Sequence, residues 1–361
     1  MQFSPDGKYV SYKQREEDGK SHVYIKNTET DKIIRAIEEK EELIRGYGWA
    51  NESRLIYIMD KGGNENYHLF AVDIDGKNQV ELTPFENVRV SILKSLKEQK
   101  DHMIISMNKD NPQIFEPYKI NIKTAEIEKL YTNDDPENPI SGYDFDKDGN
   151  LKAFTKQQNG TEYVLYYRTT KKGEFQKVIQ TTWKDNFYII SFDYTSKNPH
   201  DAYVMSNINS NTDEIILYDF AENKEIRKVY SNPTFDVGGL SVSRKRGFEV
   251  DYYFFNGEKY HVKPVSETAQ KLHAKFKKEF GDKEFNISSV TDNEDKYLIY
   301  VTSDKLYGKY YTYNVENDSF KEILDLMPQL KESDMAEMKP IKFQARDGLT
   351  TVSYTHLTLP T

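Results

Sequence analysis

Between residues 54 and 60 apolar residues recur at alternate positions (55, 57 and 59), and they do so again between residues 67 and 73 (67, 69 and 71). Gly62-Gly63 separates the two runs and Asp75-Gly76 follows the second. A period of two turns one face of an extended segment inward and the other toward water, and the glycines supply the positive φ that a tight reversal needs. Residues 43–85 therefore read as successive antiparallel strands, a unit resembling one propeller blade.

An aromatic-centred third strand of this kind recurs along the chain. It appears as Tyr24-Ile25, Phe70-Ala71-Val72, Tyr118-Lys119-Ile120, Tyr166-Tyr167, Leu217-Tyr218, Tyr260-His261-Val262 and Tyr311-Thr312-Tyr313. Neighbours in this series stand about 42 to 52 residues apart, the spacing of four-stranded propeller blades. Seven units fit: residues 1–38, 43–85, 88–133, 140–180, 187–230, 235–281 and 284–324. The predicted fold class is all-β, a seven-bladed β-propeller of four-stranded antiparallel blades over residues 1–325, with one inserted helix.

The first unit opens on Ser4-Pro5-Asp6-Gly7, a turn placed directly against Met1, as though the true beginning were missing and blade one were short of its innermost strand. Asp148-Gly149 and Asn159-Gly160 mark reversals in unit four, and Asn198-Pro199 with residues 207–213 marks them in unit five. Unit six departs from the alternation, because Ala269, Leu272, His273, Phe276 and Phe280 share one helical face. Ser266 can cap that helix, Glu267 suits its positive end, lysines 271, 275, 277 and 278 gather toward the other end, and Gly281 can close it. Residues 326–339, with Met327-Pro328, read as a linker.

Composition narrows the picture. Aromatic residues make up 13% of the chain, with 27 Tyr against 2 Trp, and mean hydropathy is -0.81. Short strands with half-buried rings explain that mixture better than long amphipathic helices do. A net charge of -9 opposes attachment to phosphate backbones or anionic lipid. No nucleic-acid and no membrane partner is expected. The absence of Cys removes disulfides, thiolate metal sites and cysteine nucleophiles, and leaves the compartment open between cytoplasm and periplasm. No run reaches transmembrane length and no charged-then-apolar leader precedes the first turn; a lost signal peptide stays open.

Residues 338–350, MKPIKFQARDGLT, resemble the opening of the catalytic domain in prolyl oligopeptidase family serine peptidases, especially the acylaminoacyl-peptidase and dipeptidyl-peptidase-like bacterial members. SPDGKYVSY, DKGGNENYHLFAVDIDG with LTPF, and DKDGNLKAF with YVLYYR resemble blades of the same family, so the resemblance covers nearly the whole chain. It implies a propeller followed by an α/β-hydrolase domain, of which residues 340–351 would be the start. It further implies oligopeptide substrates and the chain's own hydrolase domain as partners, and leaves homo-oligomerisation open. The last ten residues, 352–361, resemble the translated read-through of a transposon-end sequencing adapter. There Leu357-Thr358-Leu359-Pro360 imitates the family's continuation out of register by two residues. They are set aside as an artefact, and His356 carries no functional weight.

An α/β-hydrolase needs a Gly-x-Ser-x-Gly elbow, whose strained turn exposes the serine. The sequence contains none. Its nearest approach, Gly239-Leu240-Ser241-Val242-Ser243, lacks the second glycine and falls in a predicted strand. Asp144, Asp146 and Asp148 with Gly149 match the front of a calcium loop, but Thr155 stands where a bidentate Glu is required, so a blade turn is the reading. The pairs Glu16-Glu17, Glu38-Glu39 and Glu41-Glu42 invite comparison with the acidic pair by which dipeptidyl peptidases hold a substrate's amino terminus; in a chain with 30% charged residues they read as solvated loop ends. His273 reads as a packing residue, and the helix lysines as a solvated face or a docking surface for a further domain. No catalytic, cofactor-binding or metal residue is assigned, and no cofactor is expected.

The expected function is therefore the substrate-gating and substrate-selecting propeller of a serine peptidase, inactive without its catalytic domain. The alternative is a stand-alone TolB-like or WD-type binding propeller, and residues 345–350 discriminate, since a free-standing propeller has no use for a hydrolase strand.

Overall fold

The computed structural model describes residues 1–348 and 350–354, the last four as backbone. Seven antiparallel sheets follow one another along the chain, each with its strands side by side in sequence order. They are the blades of a seven-bladed propeller. The chain divides into two compact units, residues 1–239 with 246–248 and residues 240–245 with 249–361.

In the first unit the second and third strands of each blade carry the core. In blade two these are Arg54–Met59 and His68–Asp73; in blade five they are Asp201–Ser206 and Glu214–Asp219, buried at every position. Successive side chains of one strand serve opposite neighbours. Leu55 and Tyr57 pack with Val23 and Ile25 of blade one, whereas Ile56 packs with Met103, Ile105 and Ile120 of blade three. A strand buried on both faces can be apolar throughout, and each fully buried Leu or Ile contributes roughly 1.5–3 kcal/mol.

All seven aromatic-centred segments lie in third strands, from Tyr24 in Ser21–Asn27 to Tyr311 in Lys309–Asn314. The reversals also fall at the predicted dipeptides. Gly149 shows why one of them must be glycine: its φ is 84°, and a Cβ there would stand 3.1 Å from Leu96 Cδ2. The innermost strand of blade one is Gln2–Phe3, two residues paired with Ser11 and Val10, against six or seven residues in the other blades.

Blade six differs from the four-stranded expectation. Its sheet has three strands, Val237–Ser243, Glu249–Asn256 and Tyr260–Pro264, and the helix Glu267–Phe280 follows where a fourth strand would lie. The helix forms for local reasons. Ser266 Oγ accepts the Ala269 N–H at 3.0 Å and donates to Asp251 Oδ1 at 2.5 Å, while Gly281 closes the other end at a φ of 64°. Lys277 and Lys278 oppose the dipole in the last turn. Its apolar face then covers blade seven, where Leu272, Phe276 and Phe280 pack on Tyr297, Ile299, Val301 and Tyr313.

After the outer strand Ser319–Asp325 the chain makes a single 3-10 turn, Glu332–Asp334, and a hairpin of Pro340–Gln344 against Thr350–Tyr354. Leu349 and residues 355–361, including His356, lie outside the described residues, so the adapter-like segment is represented by the backbone of 352–354 alone.

Candidate functional site

The innermost strands of blades three and five, like the outermost strands of the blades, leave side chains to water. In the first unit Val90–Ser95 exposes Ser91, Ile92, Leu93 and Ser95, and Phe187–Phe192 exposes Tyr188, in contrast to the buried strands behind them. This wall mixes apolar and hydroxyl surface. Such a surface can pass an extended peptide without trapping it in strong ion pairs.

Two charged groups interrupt the wall. Lys94 donates to the Phe145 carbonyl at 2.8 Å, tying the inner strand of blade three to that of blade four, Ile140–Phe145. Asp144, on the same strand, has no hydrogen-bond partner among the described residues. Burial pushes its carboxyl up to about 7, with the Lys94 ammonium opposing the rise. Nothing in the sequence separates Asp144 from the other carboxylates of its turn; the difference is that it precedes the reversal and stays on the strand.

The remaining candidates are occupied by the fold. Asp146 Oδ1 accepts the backbone N–H groups of Asp148 at 3.0 Å and Asn150 at 2.8 Å, so the calcium-like sequence is spent on closing a hairpin. Asp148 pairs with Lys147 at 2.9 Å. Ser241 lies in the inner strand of blade six, Val237–Ser243, in no strained turn. Lys271 pairs with Glu267 at 2.6 Å, Lys277 with Asp282 at 3.2 Å and Lys275 with Asp318, so three of the four helix lysines are paired.

Of the paired glutamates, Glu39 is the exception to the solvated reading. It is 4% exposed, and its carboxylate accepts the N–H groups of Ser21 and Ile44, each at 3.0 Å. Glu16 takes the Tyr24 hydroxyl, Glu38 faces Arg35 at 3.6 Å, and Glu42 accepts the Gly62 N–H at 2.5 Å. Glu16, Asp18 and His22 lie close enough together to suggest a cation. The ring argues otherwise: the Glu39 N–H donates to His22 Nδ1 at 3.0 Å, so the neutral imidazole carries its proton on Nε2, the nitrogen that faces Glu16 at 3.7 Å. That nitrogen carries the ring hydrogen and has no lone pair for a metal.

No family model matches the chain. Comparison with curated proteins finds dipeptidyl aminopeptidase BIII of Pseudoxanthomonas mexicana, 26% identical over 368 residues, covering 100% of this chain and 51% of that protein. Dipeptidyl peptidase family member 6 of Caenorhabditis elegans is 22% identical, covering 100% of this chain and 50% of that protein. Among solved structures, a prolyl endopeptidase superposes with a TM-score of 0.63 at 11% identity, over 97% of this chain and 53% of that one. A post-proline cleaving enzyme from Rickettsia typhi gives 0.59 at 12% identity, over 96% of this chain and 56% of that one. The chain thus spans about half the length of the curated relatives it matches. It is similar along its whole length to a dipeptidyl aminopeptidase and to a dipeptidyl peptidase family member, and its fold matches the propeller of solved prolyl endopeptidases.

Proposed function

We propose that this chain gates and selects oligopeptide substrates for a serine peptidase whose Ser, Asp and His stand on an α/β-hydrolase domain outside these residues. The observation that carries the reading is the match to dipeptidyl aminopeptidase BIII along the whole chain but half of that relative, in a sequence without a Gly-x-Ser-x-Gly elbow. The linker 326–339 and the hairpin that follows it would then lead into the hydrolase, with residues 340–351 as its start. Selection would act through passage: the inner wall, with Ile92, Leu93 and Tyr188, admits extended or short peptides and turns away folded ones.

The experiment joins this chain to whatever its gene encodes downstream. The 361-residue protein should take no fluorophosphonate label and hydrolyse no chromogenic peptide. The extended protein should label at one serine and cleave short peptides in preference to folded proteins. Labelling of the 361-residue chain at any serine would overturn the proposal, and a gene without a hydrolase downstream would leave a binding propeller instead.

A further inference from the structure

We propose that blade six holds a binding site for a small aromatic molecule whose polar end donates hydrogen bonds, such as a phenol or an indole. The site is a cavity of about 460 Å³ inside the second compact unit, bounded by the three-stranded sheet, the helix and the inner strand of blade seven, Glu284–Val290. It follows from the replaced strand. A fourth strand would sit about 4.8 Å from the third and continue the sheet, whereas a helix is about 10 Å across and turns its apolar face to blade seven. Beside that helix the second and third strands of blade six keep part of their side-chain surface open. Their burial records it: in Glu249–Asn256 no residue is fully buried, whereas the corresponding strand of blade five is buried throughout.

The wall is aromatic where it is apolar, with Tyr252, Phe254, Tyr260 and Phe285 among its residues. Rings of this kind favour a flat ligand that can stack or meet them edge-on. The polar groups select the rest of the ligand. His273 lies against Phe285, ring centroids 5.3 Å apart, and has no hydrogen-bond partner among the described residues. Burial, and after it the Lys277 charge, lowers its pKa, so near neutral pH the ring offers an acceptor nitrogen. The other titratable groups of the wall are Tyr252, Tyr260, Tyr297, Asp251, which takes the Ser266 hydroxyl, and Glu294, which takes the Ser243 hydroxyl, and no lysine or arginine contributes to it. The His273 nitrogen suits an O–H or N–H donor, and two carboxylates without a cation in the wall repel an anionic ligand.

The test uses the full chain with indole and phenol as probes and benzoate as the matched anion, followed by ligand-observed NMR and titration calorimetry. Saturable binding of indole, with benzoate weaker by at least about tenfold, is expected from the loss of one good hydrogen bond and the addition of like charge. Val262→Trp should fill the cavity and abolish indole binding with the circular dichroism spectrum unchanged. His273→Ala, on a half-exposed helix position, should weaken indole by about tenfold even if the larger substitution fails to fold, and His273→Gln, which restores an acceptor, should recover part of the loss. No saturable indole binding at millimolar concentration, equal affinity for benzoate, or indifference to His273→Ala would each overturn the proposal. None of these outcomes depends on peptidase activity, so the site can fail while the propeller's assignment stands.

Discussion

The backbone N–H of Glu39 donates to Nδ1 of His22 at 3.0 Å, while the carboxylate of the same glutamate receives the N–H groups of Ser21 and Ile44. One buried residue thereby ties the third strand of blade one to the segment that leads into blade two. Its carboxylate is spent on two backbone donors, the Ile44 N–H buried and the Ser21 N–H half-buried. Removing it would leave both of them orphaned, at about 1–3 kcal/mol each.

Glu39→Ala should therefore destabilise the chain by about 2–4 kcal/mol in urea unfolding, against under about 0.5 kcal/mol for the neighbouring exposed Glu41→Ala. Glu39→Gln, which keeps one acceptor oxygen, should fall between the two. Equal midpoints for Glu39→Ala and Glu41→Ala would show that the strut carries no load.

Because His22 Nε2 holds the ring proton, zinc or calcium added to the chain should leave its thermal midpoint unchanged, and Asp18→Asn should not alter that result. A midpoint that rises with metal and returns with chelator would show that the tautomer assignment is wrong.

Most of the fold was legible because a blade is specified locally. Recurring apolar positions, Asp-Gly and Asn-Gly reversals, and an aromatic centre in each third strand are all properties of short segments, and each placed its strand within a residue or two. Gly149 and Asn159-Gly160 were readable because positive φ has few residue solutions. The helix was readable from its face and caps, but its replacement of a strand was not, since that depends on what blade seven offers Phe276. Glu39 was hidden among six paired glutamates, because composition cannot say which carboxylate the chain folds over. Asp144 and the aromatic cavity were hidden for the same reason: both arise from tertiary packing.

Phe276 sits among the rings of Phe280, Phe285, Tyr297, Tyr313 and Phe320, with centroids 5.4 to 6.5 Å away. Phe276→Ala should cost about 3–5 kcal/mol through lost burial and the cavity left behind, and Ser266→Ala about 1 kcal/mol through the lost cap. Chemical denaturation followed by circular dichroism distinguishes them. A Phe276→Ala protein as stable as the parent would show that the helix is not anchored on blade seven.

The last expectation concerns pH. Burial holds the Asp144 carboxyl protonated up to about 7 in the folded chain, whereas in the unfolded chain the proton is lost near pH 4. The folded state therefore binds the proton more tightly, and the stability this confers is whole below about pH 4 and lost as pH rises through 7. Asp144→Asn removes the group that must ionise. It should leave stability nearly unchanged at pH 4 and raise it at pH 8, on the order of 1–2 kcal/mol because the site is partly open to water and Lys94 already favours the charged form. The measurement is a pair of urea titrations, parent and variant, at the two pH values. If the variant is the less stable protein at pH 8, the ionised Asp144 is stabilising, and Lys94 outweighs the burial that raises its pKa.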